Sequence, residues 1–205
     1  MRRVMVWLWQ REFLWRLSRS IGARVTRADL RRVEHRLPQA HMPGVDAAQG
    51  ANLILARSLH AAVIYLEEDV ALAPELAVAR AREAFAATGT WLARGAVRLW
   101  LALERDPFAG VETRGPAALA RALWGEGMAL EERRRPHEVS LCVTQCPFQE
   151  YFWNAARSDL TPIVCAWDTA WHEEINASRK PIRVEMRGCL AEGAPQCDFT
   201  FRRIQ

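Results

Sequence analysis

The spacing of apolar residues along the chain changes near residue 136. Before that point apolar residues recur every three or four positions, which is typical of helices with one buried face. This spacing predicts helices over residues 4–20, 27–37, 51–68, 74–87, 90–104 and 117–135. Thr26 is the predicted N-cap of the second helix, and Pro38 ends that helix. Loops are expected over residues 41–50 and 106–116.

Beyond residue 136 apolar and polar residues alternate, which is typical of strands with one buried face. The alternation predicts strands over residues 139–143, 182–187 and 197–202. A turn over residues 191–196 joins the last two strands as a hairpin, so Cys189 and Cys197 are expected near its closed end. The predicted fold class is therefore α+β: a helical N-terminal two-thirds packed on a small antiparallel sheet from the C-terminal third.

The composition is that of a globular protein. Half of the 205 residues are apolar and a quarter are charged, which excludes disordered and collagen-like sequences. The length supports one domain over residues 1–205, made of a basic segment (1–37), a helical part (38–135) and an α+β part (136–205). No apolar run approaches the ~20 residues of a membrane span, and the N-terminal run is too short for a signal peptide. A cytoplasmic location is therefore expected.

Positive charge is concentrated at the N-terminus. Residues 1–36 contain ten arginines and three carboxylates, a net charge of +7, which leaves −3 for the remainder. Tryptophans and arginines interleave in this segment, a pattern that fits peripheral contact with an anionic membrane or a nucleic acid. It fits equally a helix packed on the protein itself or on a second copy in a homo-oligomer. Because arginine predominates throughout the chain, we favour the packed helix and expect no nucleic acid as a partner.

Five cysteines lie between residues 142 and 197. Their odd number and unequal spacing argue against a disulfide framework. Cys146 precedes a proline directly after a strand, which predicts that it caps a helix, and Cys165 falls in the first turn of a helix that Thr161 is expected to cap. Free amides at a helix start favour a thiolate, so we expect a lowered pKa at both thiols. Cys142 and Cys189 are interpreted as structural.

Other polar residues accompany these thiols. Asp168 and His172 follow Cys165 at spacings that place all three on one face of a helix. A nucleophile, a carboxylate and an imidazole are the groups that covalent hydrolysis requires. Glu150 lies one turn into the preceding helix as a further proton-transfer candidate, and Gln149 is placed to complete a capping box.

A metal site is the alternative use of these side chains. The four candidate ligands for zinc or iron are Cys146, Cys165, Cys197 and His172. Thiolate and imidazole are the ligands that zinc prefers, but these residues lack the short spacing of typical zinc sites. We therefore expect no metal and no other cofactor.

Three segments in order carry a resemblance to a known family. They read Cys146-Pro-Phe-Gln-Glu150, then Leu160-Thr-Pro-Ile-Val-Cys165-Ala-Trp-Asp168, then Leu190-Ala-Glu-Gly-Ala-Pro-Gln-Cys197-Asp-Phe-Thr-Phe201. Together they resemble the L-2-amino-thiazoline-4-carboxylic acid hydrolase family. The resemblance implies a small-molecule substrate, a cyclic isothiourea whose ring is opened by hydrolysis of a C–N or C–S bond to give N-carbamoyl-L-cysteine.

This chemistry suggests a role for each candidate residue. The ring carbon between two nitrogens and a sulfur is an electrophile that a thiolate can attack. We expect Cys165 as the nucleophile with Cys146 as its rival, and Asp168 to protonate or orient the substrate nitrogens. His172 and Glu150 are the candidate proton shuttles. The residues expected to line the substrate site are Cys197, Trp167, Phe199 and Glu192.

A second function remains open. The ending Gly193-x3-Cys197-x-Phe199 also resembles the ligand-binding domains related to 4-vinyl reductases. That resemblance implies a non-catalytic sensor or carrier domain, in which the cysteines hold a ligand or metal and the tryptophans line an apolar pocket.

Overall fold

The structure, a computed structural model, describes residues 2–38 and 47–204. Its helices are α1 (Arg2–Ile21), α2 (Arg27–Glu34), α3 (Ala47–Glu68), α4 (Pro74–Ala87), α5 (Thr90–Leu103), α6 (Pro107–Arg114), α7 (Pro116–Trp124), α8 (Pro147–Asn154) and α9 (Thr161–Ala177). Its strands are β1 (Ala129–Arg135), β2 (Glu138–Gln145), β3 (Ile182–Met186) and β4 (Cys197–Arg203). The predicted α+β class is confirmed.

The strands form one antiparallel sheet in the order β1-β2-β4-β3. The predicted hairpin of β3 and β4 is confirmed, with Met186 opposite Phe199. On the other edge of β4, Val143 lies opposite Cys197. The end of β2, where α8 begins, is therefore beside the start of β4.

The predicted cap of α2 is confirmed. The Thr26 amide donates to Asp29 Oδ2 at 2.9 Å, and the Asp29 amide donates to Thr26 Oγ1 at 3.3 Å. These two bonds form a capping box, which satisfies amides that the helix itself leaves unpaired. The helix ends at Glu34, one turn before Pro38.

One hydrophobic core lies among the N-terminal helices and α8. Phe13 and Leu17 of α1 are fully buried against Leu59 of α3 and its neighbours. A buried polar pair crosses this core, because His60 Nδ1 lies 3.2 Å from Tyr151 Oη. Burial lowers the pKa of His60 to about 4, so the imidazole is neutral at pH 7 and the pair is a hydrogen bond between uncharged groups.

A second core lies between the sheet and its covering helices, with residues from β2, β3, β4 and α9. Trp124 and Cys146 pack against both cores. Trp124 is fixed there in part by Asn52 of α3, whose Nδ2 donates to the Trp124 carbonyl at 2.8 Å. The start of α8 is therefore located where the helical and sheet cores meet.

Two of the expected loops differ from the structure. The loop prediction for residues 106–116 is wrong, because α6 forms there with Asp106 as its N-cap and a proline at the first helical position. Asp106 Oδ1 accepts from the Ala109 amide at 3.0 Å, which is an ordinary helix-start signal. The loop prediction for residues 41–50 is wrong over 47–50, which form the start of α3, and its residues 41–46 lie outside the described residues.

The prediction of a helix over residues 117–135 is also wrong for the second half of that segment. The helix α7 ends at Trp124, and Gly125 follows with φ 85° and ψ −179°. Residues 129–135 then form β1, so the sheet begins earlier than expected. This segment is rich in glutamate and arginine, which favour helix, but pairing with β2 outweighs that intrinsic preference. Its charged side chains suit an edge strand, where they discourage pairing with other chains.

Two glycine substitutions test the role of Gly125. Only glycine adopts this backbone conformation without strain, so Gly125→Ala should lower the free energy of unfolding by about 1–3 kcal/mol. Gly95 lies inside α5, and an added Cβ would meet no atom within 4 Å. Gly95→Ala should therefore raise the free energy of unfolding by about 0.5–1 kcal/mol. Urea unfolding measures both, and equal effects of the same sign would contradict this account of the α7–β1 junction.

Candidate functional site

The predicted position of Cys146 as the N-cap of α8 is confirmed. The backbone amides of Gln149 and Phe148 face its thiol and act to lower its pKa. Burial outweighs them and raises the pKa of Cys146 to about 11. The expectation of a lowered pKa is therefore wrong for this thiol, because the sequence shows the helix start but not the burial around it.

Cys165 lies in α9, which begins one residue earlier than expected. Thr161 is the first helical residue rather than the cap, and its buried Oγ1 has no partner among the described residues. Burial raises the pKa of Cys165 far above its ordinary value, and the neighbouring thiol of Cys189 raises it further. The lowered pKa expected from the sequence is wrong here as well.

The connection between β3 and β4 brings two more thiols to this place. The Leu190 amide donates to Cys197 Sγ at 3.3 Å. Gln149 does not close the expected capping box; its Nε2 donates to the Leu190 carbonyl at 3.2 Å and so ties α8 to the connection. Burial raises the pKa of Cys197 to about 12, and the thiol of Cys189 contributes to this shift.

We call Cys146, Cys165, Cys189 and Cys197 the thiol cluster. All four are reduced, as is Cys142. Cys146 and Cys165 are partly exposed, whereas Cys189 and Cys197 are buried. The two cysteines that the sequence favours as nucleophiles are therefore the two members of the cluster with access to solvent.

Asp168 is the carboxylate that accompanies the cluster. Its Oδ1 accepts a hydrogen bond from Trp171 Nε1 at 3.2 Å. Burial nevertheless raises the pKa of Asp168 to about 6, and the charge of Asp168 in turn raises the pKa of Cys146. Asp168 thus exchanges its proton near neutral pH, which is the property of a useful general acid or base.

His172 lies among aromatic rings on the same helix. Its ring centroid is 3.8 Å from that of Trp171 and 5.4 Å from that of Phe199. Burial lowers the pKa of His172 to about 4, so the ring is neutral at pH 7. Its Nε2 is buried and has no hydrogen-bond partner within the described part of the chain. The imidazole is therefore not hydrogen-bonded through Nε2 to Asp168 or Cys165 in this structure.

The remaining predicted site residues do not share one environment, and each makes different contacts. Trp167 Nε1 donates to the Thr88 carbonyl at 2.8 Å, which fastens α9 to the end of α4. Glu150 accepts a hydrogen bond from Gln145, and Glu192 is exposed in a short 3₁₀ turn. Phe199 is buried against Trp171, the partner of Asp168. Of these four side chains, Phe199 therefore has the closest connection to Asp168.

Sequence reasoning left out two residues that the structure places here. Cys189 was interpreted as structural, although its expected location near the closed end of the hairpin was a usable signal. Trp171 was not singled out, although its position three residues after Asp168 places the two side chains on one helix face. Over residues 2–38 and 47–204, no three His, Cys, Asp or Glu side chains are arranged to hold a metal ion.

The family comparison covers this whole region. The model of the L-2-amino-thiazoline-4-carboxylic acid hydrolase family matches residues 52–201, from α3 into β4. The match includes the thiol cluster, Asp168 and His172, whereas α1 and α2 precede it. A comparison with curated proteins finds no match. Because the family match spans well over half of the chain, this protein belongs to the L-2-amino-thiazoline-4-carboxylic acid hydrolase family.

Proposed function

We propose that this protein hydrolyses L-2-amino-thiazoline-4-carboxylate, or a closely related cyclic isothiourea, with Cys146 as nucleophile and Asp168 as its base. Family membership supports the reaction class. The observation that carries the assignment is the pairing of a carboxyl group whose pKa is about 6 with a partly exposed thiol at a helix start. At pH 7 most Asp168 side chains are ionised and able to accept a proton.

The surroundings of the two accessible thiols favour Cys146 over Cys165, which reverses the order expected from the sequence. Two backbone amides act to lower the pKa of Cys146, and Asp168, the proposed base, is close enough to act on the same thiol. Cys165 instead has Cys189, Cys146 and Cys197 around it, and its pKa is raised further. Backbone amides stabilise a thiolate, whereas the neighbouring thiols raise the pKa of Cys165, so a thiolate is easier to form at Cys146. Cys165 then lines the site next to the nucleophile.

The proposed reaction has two stages. Asp168 accepts the proton of Cys146, and the thiolate Sγ forms a bond to the ring carbon that carries two nitrogens and the ring sulfur. The bond from this carbon to the ring sulfur then breaks, and Asp168 returns the proton to that sulfur. A water molecule next attacks the same carbon, and the bond to Cys146 breaks. Of the two protons of this water, one passes to the doubly bonded nitrogen on the carbon and the other to the departing Cys146 sulfur. The carbon is left as the urea carbonyl of N-carbamoyl-L-cysteine.

The raised thiol pKa is compatible with this sequence of steps. In the free protein Cys146 is protonated, so it is protected from unspecific alkylation and oxidation. A protonated isothiourea substrate brings a positive charge that stabilises both the thiolate and ionised Asp168. The unpartnered Nε2 of His172 lies one helical turn beyond Asp168, and we assign it the proton transfer to or from the attacking water.

Replacement of one cysteine at a time by serine tests which thiol is the nucleophile. Cys146→Ser should lower kcat/KM by at least about a thousandfold, because the hydroxyl is a far weaker nucleophile at neutral pH. Cys165→Ser should lower it by no more than about tenfold, since this residue only lines the site. The matched control is Cys142→Ser on β2, which replaces a buried thiol outside the cluster. Release of the product thiol from the thiazoline substrate is the readout.

Either of two results would contradict this assignment. Turnover by the Cys146→Ser protein at the wild-type rate would exclude Cys146 as the nucleophile. A large loss in Cys165→Ser alone would transfer the role to Cys165, as first expected from the sequence.

The pH profile tests Asp168. If its ionised form is the base, kcat/KM should rise as the pH increases through about 6, the pKa of this carboxyl. Asp168→Asn should lower kcat/KM at least about a hundredfold and abolish that rise. The control Asp159→Asn removes a carboxylate at an exposed position and should leave the profile intact. An unchanged profile in Asp168→Asn would exclude Asp168 as the base.

The same substitution should have the opposite effect on stability. A carboxyl whose pKa is raised by folding stabilises the protein below its unfolded pKa, and this contribution is lost as the pH rises through about 6. Asp168→Asn should therefore raise the free energy of unfolding at pH 7 by at most about 3 kcal/mol and flatten its decline between pH 4 and 6. Chemical denaturation across this pH range measures the effect, and a destabilised variant would contradict the raised pKa.

A carrier or sensor function is the second candidate. It is favoured by one observation, the raised pKa of Cys146, Cys165 and Cys197, which makes these thiols unreactive in the free protein. A carrier would bind the thiazoline at equilibrium and release it unchanged. Calorimetric binding of the substrate to the wild-type protein with no production of thiol would favour this function over hydrolysis.

A further inference from the structure

The outward face of α1 carries apolar side chains in contact with solvent. Val4, Leu8 and Trp15 follow each other at helical spacing and are all exposed, with Met5 and Trp7 beside them. Trp15 is 52% exposed. The opposite face of the same helix, with Phe13 and Leu17, is fully buried in the core. The helix therefore has one apolar face for the core and a second one that no described part of the chain covers.

Cations alternate with these apolar residues. The guanidinium of Arg11 lies over the Trp7 ring at 5.6 Å, and that of Arg19 lies over the Trp15 ring at 5.0 Å. Neither arginine forms an ion pair with a carboxylate in the described part of the chain, whereas Arg16 is paired with Glu12 at 2.8 Å. The outward face thus presents positive charge that no carboxylate of residues 2–38 and 47–204 neutralises.

An open cleft continues this face at the end of α1. It has a volume of about 560 Å³ and lies along the turn from α1 to α2. Trp15, Arg19 and Arg24 line it. Arg24 likewise forms no ion pair with any carboxylate of the described residues. A cleft with two free guanidinium groups and an indole wall fits a phosphate group attached to an apolar chain.

We propose that the outward face of α1 binds the surface of an anionic lipid bilayer. Val4, Leu8, Trp7 and Trp15 would enter the boundary between headgroups and acyl chains, where indole rings are favoured. Arg11, Arg19 and Arg24 would pair with lipid phosphates, and their long side chains reach outward from an apolar surface. The net charge of +7 over residues 1–36 adds attraction to an anionic surface.

One further observation agrees with binding at the surface rather than insertion across it. Among the described helices, none is long and apolar enough to cross a membrane. The helix α1 also lies outside residues 52–201, the part matched by the hydrolase family. The proposed contact is therefore independent of the proposed reaction. A nucleic acid fits this face less well, because its phosphate backbone offers no apolar layer for Val4 and Leu8.

Vesicle flotation of the full-length protein tests the proposal. The protein should float with vesicles of equal parts phosphatidylcholine and phosphatidylglycerol, and not with phosphatidylcholine alone. Binding should weaken when salt is raised from about 0.1 M to about 1 M, because the screening length falls from about 10 Å to about 3 Å. Arg11→Gln with Arg19→Gln should weaken partitioning about 30-fold, the factor for two cations near an anionic surface. Leu8→Ala with Trp15→Ala should weaken it at least about tenfold.

Matched substitutions elsewhere on the surface serve as controls. Arg105→Gln with Arg179→Gln removes the same charge from exposed positions outside α1. Trp153→Ala removes an exposed tryptophan of α8, which is 72% exposed. Both control proteins should bind vesicles as the wild type does. Circular dichroism and thermal unfolding of each variant distinguish lost binding from lost folding. The α1 variants leave the buried residues Phe13 and Leu17 of that helix unchanged.

Three kinds of result would overturn the proposal. The first is a lack of specificity, seen either as equal binding to both kinds of vesicle or as equal loss of binding in the α1 and control variants. The second is a change from dimer to monomer in the α1 variants without lipid, which would show that a second copy covers this face. The third is tighter binding of single-stranded or duplex DNA than of anionic vesicles at the same salt concentration.

Discussion

Burial of ionisable groups at the meeting point of two hydrophobic cores governs the chemistry of the candidate site. Cys146 packs against both cores at the start of α8. The helix dipole stabilises a negative charge near the start of a helix by about 0.3–1 kcal/mol. Burial is the largest cause that raises the pKa of Cys146 from 9.0 to about 11, and this net shift corresponds to about 3 kcal/mol against the thiolate. Burial therefore prevails over the helix start.

The same burial has a different consequence for the carboxyl group. It raises the pKa of Asp168 to about 6, so that this group changes its charge near neutral pH, while the thiol of Cys146 stays protonated. Trp171 favours the ionised form through its hydrogen bond but does not cancel the effect. In the proposed reaction, the same physical cause therefore produces both the acid or base and the protonated nucleophile. The positive charge of the substrate is proposed to favour the proton transfer between them.

Features that depend on neighbouring residues were predictable from the sequence. The capping box of Thr26, the helix start at Cys146 and the β3–β4 hairpin all arise from local signals, and each is confirmed. Features that depend on distant contacts were not. The strand β1 consists of residues that favour helix and is formed by its pairing with β2. The place of Cys189 in the thiol cluster and the raised pKa of each accessible thiol likewise follow from tertiary packing.

The proposed mechanism requires Cys146 to become covalently bonded to the substrate carbon. Acid quenching of the wild-type protein during turnover of L-2-amino-thiazoline-4-carboxylate, followed by digestion and peptide mass spectrometry, measures this directly. The peptide containing Cys146 should gain the mass of one whole substrate, because ring opening expels no fragment, and this species should form and decay at the rate of turnover. An adduct on Cys165, or turnover in which no cysteine peptide gains mass at any quench time, would contradict the account.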